Sequence, residues 1–175
     1  MRTVTTIVTH LELLAPPASE PLPAPEPGLE LSRLSPAGAE EYLVLYDGVG
    51  RDLTWTARKL MPRQELQALL DLPAIEVWPL RDRDGPLGYF ELDRRLPWQA
   101  ELAYFGLFAR GRSRRLGPWL LDRAIRAAWA PAQGPAPRRV WVHTCTLDDP
   151  RALPLYQRAG FVVYDTTREE VALLD

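Results

Sequence analysis

Residues 109–121 read "ARGRSRRLGPWLL": four arginines in the first seven positions, then an apolar run. Such a stretch can serve as a nucleic-acid patch or hold a phosphate at the start of a helix, and its flanks discriminate. Upstream, "QAELAYFGLFA" (99–109) reads as a strand. Downstream, "RLGPWLLDRAIRAAWA" (115–130) places Leu116, Leu120, Leu121, Ile125 and Trp129 at helical spacing. A chain leaving a strand and entering a helix exposes unpaired N–H groups at the positive end of the helix dipole. Such an end binds phosphate, and a glycine there (Gly117) lets backbone approach the anion. Neighbouring arginines add charge-assisted contacts. No aromatic residue is interleaved among the arginines, as a single-strand binder requires. The net charge of -2 is also unlike that of a dedicated nucleic-acid binder. The phosphate reading is preferred, and nucleic acid is not expected as a partner.

A chain of 175 residues is long enough for one substantial core, and one domain is expected. Lys59 is the only lysine, so the basic charge is arginine throughout. Cys145 is the single cysteine, which excludes an internal disulfide framework and fits a reducing compartment. With His10 and His143 as the only histidines, no dense His/Cys zinc cluster can form, and no metal is expected. The start, "MRTVTTIVTHLELL", alternates and lacks the long apolar run of a leader or membrane span. A cytoplasmic location away from membranes is the expectation.

The β-branched residues of 3–14 predict a strand, and the proline-rich stretch 15–28 a linker. A short strand follows at 29–34, then a helix capped by Ser35 with Pro36 in its first turn, ending near Tyr46 where "YDGVG" breaks it. Residues 51–71 read as helical in two pieces, the second opened by Pro62. Strands are predicted at 74–82 and 87–95 around the turn "RDGP", and again at 139–146. "DDPRALPLYQRAG" (148–160) predicts a helix with Asp149 as cap, Pro150 at its first position and Gly160 at its end. One closing strand, or two, spans 161–174.

With these elements in place, the sequence resembles the GCN5-related N-acetyltransferase (GNAT) superfamily. "RSRRLG" (112–117) follows that family's coenzyme A loop, [Q/R]-x-x-G-x-[G/A], from Arg112 to Gly117, with Arg115 replacing the middle glycine. "DPRALPLYQRAGF" is similar to N-x-x-A-x-x-L-Y-x-x-x-G-F, with Ala152, Leu155, Tyr156, Gly160 and Phe161 in register and Asp149 in place of asparagine. "AELAYFGLFA" resembles the fourth-strand segment of the histone-acetyltransferase branch, with Glu101 where that branch keeps its general base. The resemblance covers about 29–165 as an acetyltransferase core; the first strand (1–14) and the linker (15–28) lie outside it.

The resemblance implies an α/β fold with a mixed, mainly antiparallel sheet flanked by helices. Its fourth and fifth strands, here about 100–109 and 138–145, splay to admit the pantetheine arm. It implies acetyl-CoA as co-substrate, held by backbone of Leu107 and Ala109 and by the loop Arg112, Ser113, Arg114, Arg115, Leu116 and Gly117, with Asp149 nearby. It implies direct acetyl transfer to a primary amine of a small molecule or peptide. Glu101 removes the amine proton, directly or through water, and Tyr156 protonates the departing sulfur. The rival is a silent acyl-CoA-binding or partner-binding module of the same fold.

Strand alternation places Glu101, Ala103, Phe105 and Leu107 on one face, so Phe105 would desolvate the carboxylate and raise its pKa. His143 reads as a packing histidine and reserve base, and Cys145 as a buried apolar residue. Tyr42, Tyr46 and Trp55 are core aromatics or pocket walls. Asp47 and Asp52 hint at a cationic acceptor. Oligomeric state stays open, a homodimer being one option.

Overall fold

The computed structural model describes residues 2–173. In chain order it contains β1 (Arg2–Leu13), β2 (Glu30–Leu31), α1 (Ala39–Gly50), α2 (Ala57–Leu60), α3 (Arg63–Leu70), β3 (Ile75–Asp82), β4 (Gly85–Asp93), β5 (Gln99–Leu107), α4 (Leu116–Trp129), β6 (Arg139–Cys145), α5 (Ala152–Arg158) and β7 (Val162–Leu173). A single 3-10 turn, Ala109–Gly111, follows β5. The strands form one sheet in the order β2-β3-β4-β5-β6-β1-β7. All described neighbours are antiparallel except β5 and β6. This is the mixed, mainly antiparallel sheet flanked by helices that the sequence predicts.

The first strand is not peripheral. β1 inserts between β6 and β7, pairing Val8–Leu13 with Cys145–Val140 and Arg2–Glu12 with Leu173–Val162. Its β-branched residues suit a strand paired on both edges. Because β6 ends at Cys145, the first half of β1 continues with β7 alone as a two-stranded ribbon. The proline-rich linker then runs along the outer side of α4. Arg126 donates to the Ser19 carbonyl (2.8 Å), Arg123 to the Leu22 carbonyl (2.7 Å), and the Leu22 N–H reaches Asp122 (3.2 Å).

Two apolar layers cover the sheet. On one face Leu116, Leu120, Leu121 and Ile125 of α4 pack with Tyr156 and Phe161 on Phe90, Leu102 and Val142. Each buried aliphatic side chain contributes about 1.5–3 kcal/mol. On the other face Tyr42, Leu45, Tyr46 and Val49 of α1 join Leu66 of α3 on Val77 and Tyr89. An ion pair lies within this second layer. Glu91 of β4 is fully buried, accepts from Tyr42 (2.5 Å) and pairs with Arg58 of α2 (2.6 Å). Burial pushes the Glu91 carboxyl upward, and the Arg58 guanidinium opposes that shift.

The helix predicted from Ser35 to Tyr46 starts later and ends later, at Ala39 and Gly50. The glycines of "YDGVG" do not break it, because they serve packing. A Cβ at Gly48 would overlap the Phe108 ring, and one at Gly50 would run into Trp55. Tertiary contact here overrides the propensity cost of about 1 kcal/mol per helical glycine.

Candidate active site

β5 and β6 pair only from Gln99/Arg139 to Leu102/Val142; beyond that point the strands part. The cause is local to β5. Glu91 of β4 faces Tyr104, whereas Leu92 faces Leu102, so Ala103 is an extra residue, a bulge. A bulge bends its strand and increases its twist. The parted ends, with α1, the 53–57 segment, α4, α5 and β7, enclose a cavity of about 580 Å3.

The bulge also corrects a sequence expectation. Ala100 and Leu102 face the α4 side before it, and Phe105 and Leu107 face that same side after it. Glu101 therefore points to the opposite face and does not sit beside Phe105. Its carboxylate instead lies 3.4 Å from His143 Nδ1, outside the residues that line the cavity. A smaller cavity bounded by Asp93, Arg95 and Trp141 contains it. His143 does line the large cavity, with its side chain 43% exposed. Its pKa is raised, first by the hydrogen bond to Glu101 against an opposing burial penalty, then by the charges of Asp148 and Glu169.

At the other end the arginine loop meets α4. Arg115 sits at its N-cap with φ 59°, and Ser113 has φ 62°. Left-handed residues alternating along a loop can turn successive N–H groups into one anion-binding concavity. The residue replacing the family's middle glycine thus holds a glycine-like conformation. Gly117 is different. A Cβ there would meet only Leu107 and Leu155, each at 3.9 Å, so packing does not demand glycine at this position. The opening it leaves fits an anion brought close to the first turn of the helix.

Arg112, Ser113, Arg115, Leu116 and Gly117 line the cavity, as do Leu107, Asp149 and Tyr156. Among the described residues Arg112, Arg115 and Arg158 form no ion pair, although Arg112 is near enough to Asp149 to help lower its pKa, so three cations line the cavity with no salt-bridge partner. Arg114 does not join them; it pairs with Glu26 of the linker and with Asp82 (3.1 Å). Ala109 lies in the 3-10 turn outside the lining, its carbonyl accepting from the Arg112 N–H (3.2 Å). The Phe108 N–H reaches back to the Leu87 carbonyl (2.8 Å). By strand alternation, the N–H and C=O of Leu107 then point away from β4 into the gap.

Asp149 does not cap α5 from the expected position, since Arg151 is the N-cap. The Asp149 carboxylate accepts from the Arg151 N–H (2.9 Å) and its guanidinium, which hold its pKa at about 2. Its negative charge is thereby matched by the Arg151 guanidinium. Gly160 ends the helix at φ 102°, as predicted.

Tyr156 is 95% hidden by Phe105 (6.1 Å between rings) and Phe161 (5.9 Å), yet among the described residues its hydroxyl has no hydrogen-bond partner. Burial pushes its pKa up, with Asp148 adding to the shift, so the group is a phenol at neutral pH.

Several lining residues carried no sequence signal of their own. Asp148 accepts from Thr144 (2.9 Å), from the Cys145 N–H (3.0 Å) and from Trp55 Nε1 (3.3 Å), tying the 53–57 segment to β6. Trp55 and Tyr46 form a wall with Tyr104, whereas Tyr42 is core. Glu169 and Val171 come from β7, and Thr6 and Val8 from β1. Asp47 gives no support to a cationic acceptor, since Arg51 and Lys59 pair with it, and neither it nor Asp52 lines the cavity.

Comparison with known proteins agrees with this architecture. A GCN5-related N-acetyltransferase from Kribbella flavida superposes with a TM-score of 0.62 at 18% identity, over 94% of this chain and 56% of that one. A tandem GNAT protein from the clavulanic acid biosynthesis pathway gives 0.63 at 17% identity, over 97% of this chain and 55% of that one. This chain thus spans little more than half the length of either. An aminoglycoside acetyltransferase from an uncultured soil metagenomic sample, solved with sisomicin, gives 0.59 at 13% identity, over 76% of this chain and 88% of that one. No curated protein matches the sequence. The sequence model of the acetyltransferase (GNAT) family matches residues 42–161, from α1 through the end of α5, and on that match, with the parted strands and the loop at α4, the chain belongs to the GNAT family.

Proposed function

We propose that this protein is an acetyl-CoA-dependent N-acetyltransferase acting on a primary amine of a small molecule or peptide. The observation that carries the reading is one cavity with two chemically distinct sets of groups: Arg112 and Arg115 at the start of α4 with Arg158 at the end of α5, and His143 with the Tyr156 hydroxyl where β5 and β6 part.

Acetyl-CoA supplies the activated acetyl group as a thioester. Arg112, Arg115 and Arg158, with the first N–H groups of α4, hold its phosphates. The Leu107 backbone directs the arm along β5. The amine nitrogen attacks the thioester carbon; a C–N bond forms and the C–S bond breaks. His143 accepts the proton released by the amine. Glu101, expected from the sequence to be the base itself, acts behind His143, holding Nδ1 and leaving Nε2 for the acceptor. Tyr156 gives its proton to the sulfur. Its raised pKa does not forbid this, because a thiolate left in the same desolvated gap becomes more basic for the same reason.

The test is thiol release from acetyl-CoA across a broad panel of amines, with acetyl-CoA binding followed by calorimetry. Turnover with at least one amine is expected. Tight binding with no turnover on any of them identifies the silent module instead.

A further inference from the structure

The cavity is electrically divided, and its second end has a composition of its own. Glu101 lies 3.4 Å from His143, and Asp148 and Glu169 line the cavity with His143, their charges adding to its raised pKa. Among the described residues no lysine lines the cavity, and its arginines belong to the loop before α4 (Arg112, Arg115) and to the two ends of α5 (Arg151, Arg158). Arg58 and Lys59 of α2 are engaged by Glu91 and Asp47, and the Arg58 guanidinium covers one face of Tyr104, 5.2 Å from its ring centre. The walls are apolar and aromatic. Tyr46, Trp55 and Tyr104 pack with ring centroids 5.0–5.4 Å apart, and Val8, Val49, Leu53 and Val171 complete the lining.

The threonine hydroxyls and the indole N–H among these walls are already used within the protein. The hydroxyl of Thr6 bonds Thr146 (2.9 Å), that of Thr54 the Leu53 carbonyl (2.6 Å), and that of Thr56 the Ala172 carbonyl (3.3 Å). Trp55 Nε1 is taken by Asp148 (3.3 Å). An acceptor rich in hydroxyls would bury them here without partners, a cost of about 1–3 kcal/mol for each group. Glu169 is different: among the described residues it forms no ion pair and accepts one long hydrogen bond, from Thr167 (3.4 Å). It faces the cavity from the β1/β7 ribbon.

From this division we infer that the acceptor is a cationic primary amine on an apolar, flat body, with the ammonium drawn in by Glu169 and the body lying against Trp55, Tyr46 and Tyr104. Aromatic faces favour both parts of such a molecule, by contact and, at Trp55 and Tyr46, by cation–π attraction, one face of Tyr104 being covered by Arg58. Polyhydroxylated amines, including amino sugars, fit this end poorly. The inference rests on the acetyltransferase reading of the same cavity.

The experiment has a kinetic and a binding arm. In the first, kcat/KM is compared for 2-phenylethylamine, spermidine, glucosamine and an aminoglycoside. In the second, binding of 2-phenylethylamine to the protein saturated with coenzyme A is followed by calorimetry, for wild type and Glu169→Gln. Phenylethylamine is expected to lead the panel by at least tenfold. Glu169→Gln is expected to weaken its binding about fivefold while leaving acetyl-CoA affinity unchanged. Preference for the amino sugar, the aminoglycoside or spermidine overturns the inference and leaves the acetyltransferase reading standing. Phenylethylamine that binds in a Glu169-dependent way without turnover sustains the inference and overturns that reading. Failure of phenylethylamine to bind, or equal binding by the variant, overturns the inference.

Discussion

Gly117 offers the sharpest test of the arginine loop, because protein packing and ligand binding demand opposite things of it. A Cβ added there meets only Leu107 and Leu155 at 3.9 Å, an ordinary contact, and the residue lies in the first turn of α4. Gly117→Ala therefore removes a glycine from a helix with no clash, stabilising the fold by about 0.5–1 kcal/mol. For a chain of this length that is a rise in Tm of roughly 1–4 °C. Gly117→Asp also suits the free protein, since a carboxylate at a helix N-terminus gains about 0.3–1 kcal/mol. Bound pyrophosphate reverses the sign. Even in fully water-like surroundings, a unit charge about 6 Å from two phosphate charges costs about 1.4 kcal/mol, which is tenfold in affinity, and a drier site costs more. The expected result is an acetyl-CoA Kd raised at least about tenfold in Gly117→Asp, with unchanged circular dichroism and an unchanged or higher Tm. Calorimetry and thermal melts on the two variants suffice. A Kd within twofold of wild type for Gly117→Asp would refute phosphate binding at the start of α4. A lowered Tm for Gly117→Ala would refute the packing argument separately.

Tyr156→Phe keeps the ring between Phe105 and Phe161 and deletes only the hydroxyl; turnover should fall about 100- to 10,000-fold with acetyl-CoA affinity barely changed, and a wild-type rate would show that the sulfur leaves without this proton. Glu101→Gln removes the largest cause of the raised His143 pKa. The imidazolium loses a partner, the pKa falls toward its ordinary value, and the acid limb of the kcat/KM profile moves to lower pH; an unmoved limb would remove His143 as the base. Glu91→Gln strands the Arg58 guanidinium in the second apolar layer, and removing one partner of a buried pair costs about 3 kcal/mol, or roughly 6–12 °C in Tm. Melts that differ by less than 2 °C would show that Arg58 finds water instead.

What the sequence alone determined is what lies within a few residues along the chain. The helical spacing from Leu116 to Trp129, the arginine loop before it, and the run from Ala152 to Phe161 closed by Gly160 are local patterns, and each is found where it was expected. So is the strand character of 3–14, since β-branched alternation needs no knowledge of partners. The partners themselves needed the fold. Nothing near Val8 indicates that it will face Cys145 on one side and Thr167 on the other, more than 130 residues away, so a strand set outside the core by its position became an interior one. The face of Glu101 turned on a single inserted residue, Ala103, and one residue is enough to exchange the two faces of a strand, as period-2 alternation has no tolerance for a slip. The glycines of 46–50 looked like a break because propensity is local, but the Phe108 and Trp55 rings that require them arrive from elsewhere. Arg114 looked equivalent to Arg112 and Arg115 until the linker brought Glu26 against it. Spacing along the chain specified which chemistry is present; register and packing between distant segments decided which groups face the cavity and which are already neutralised.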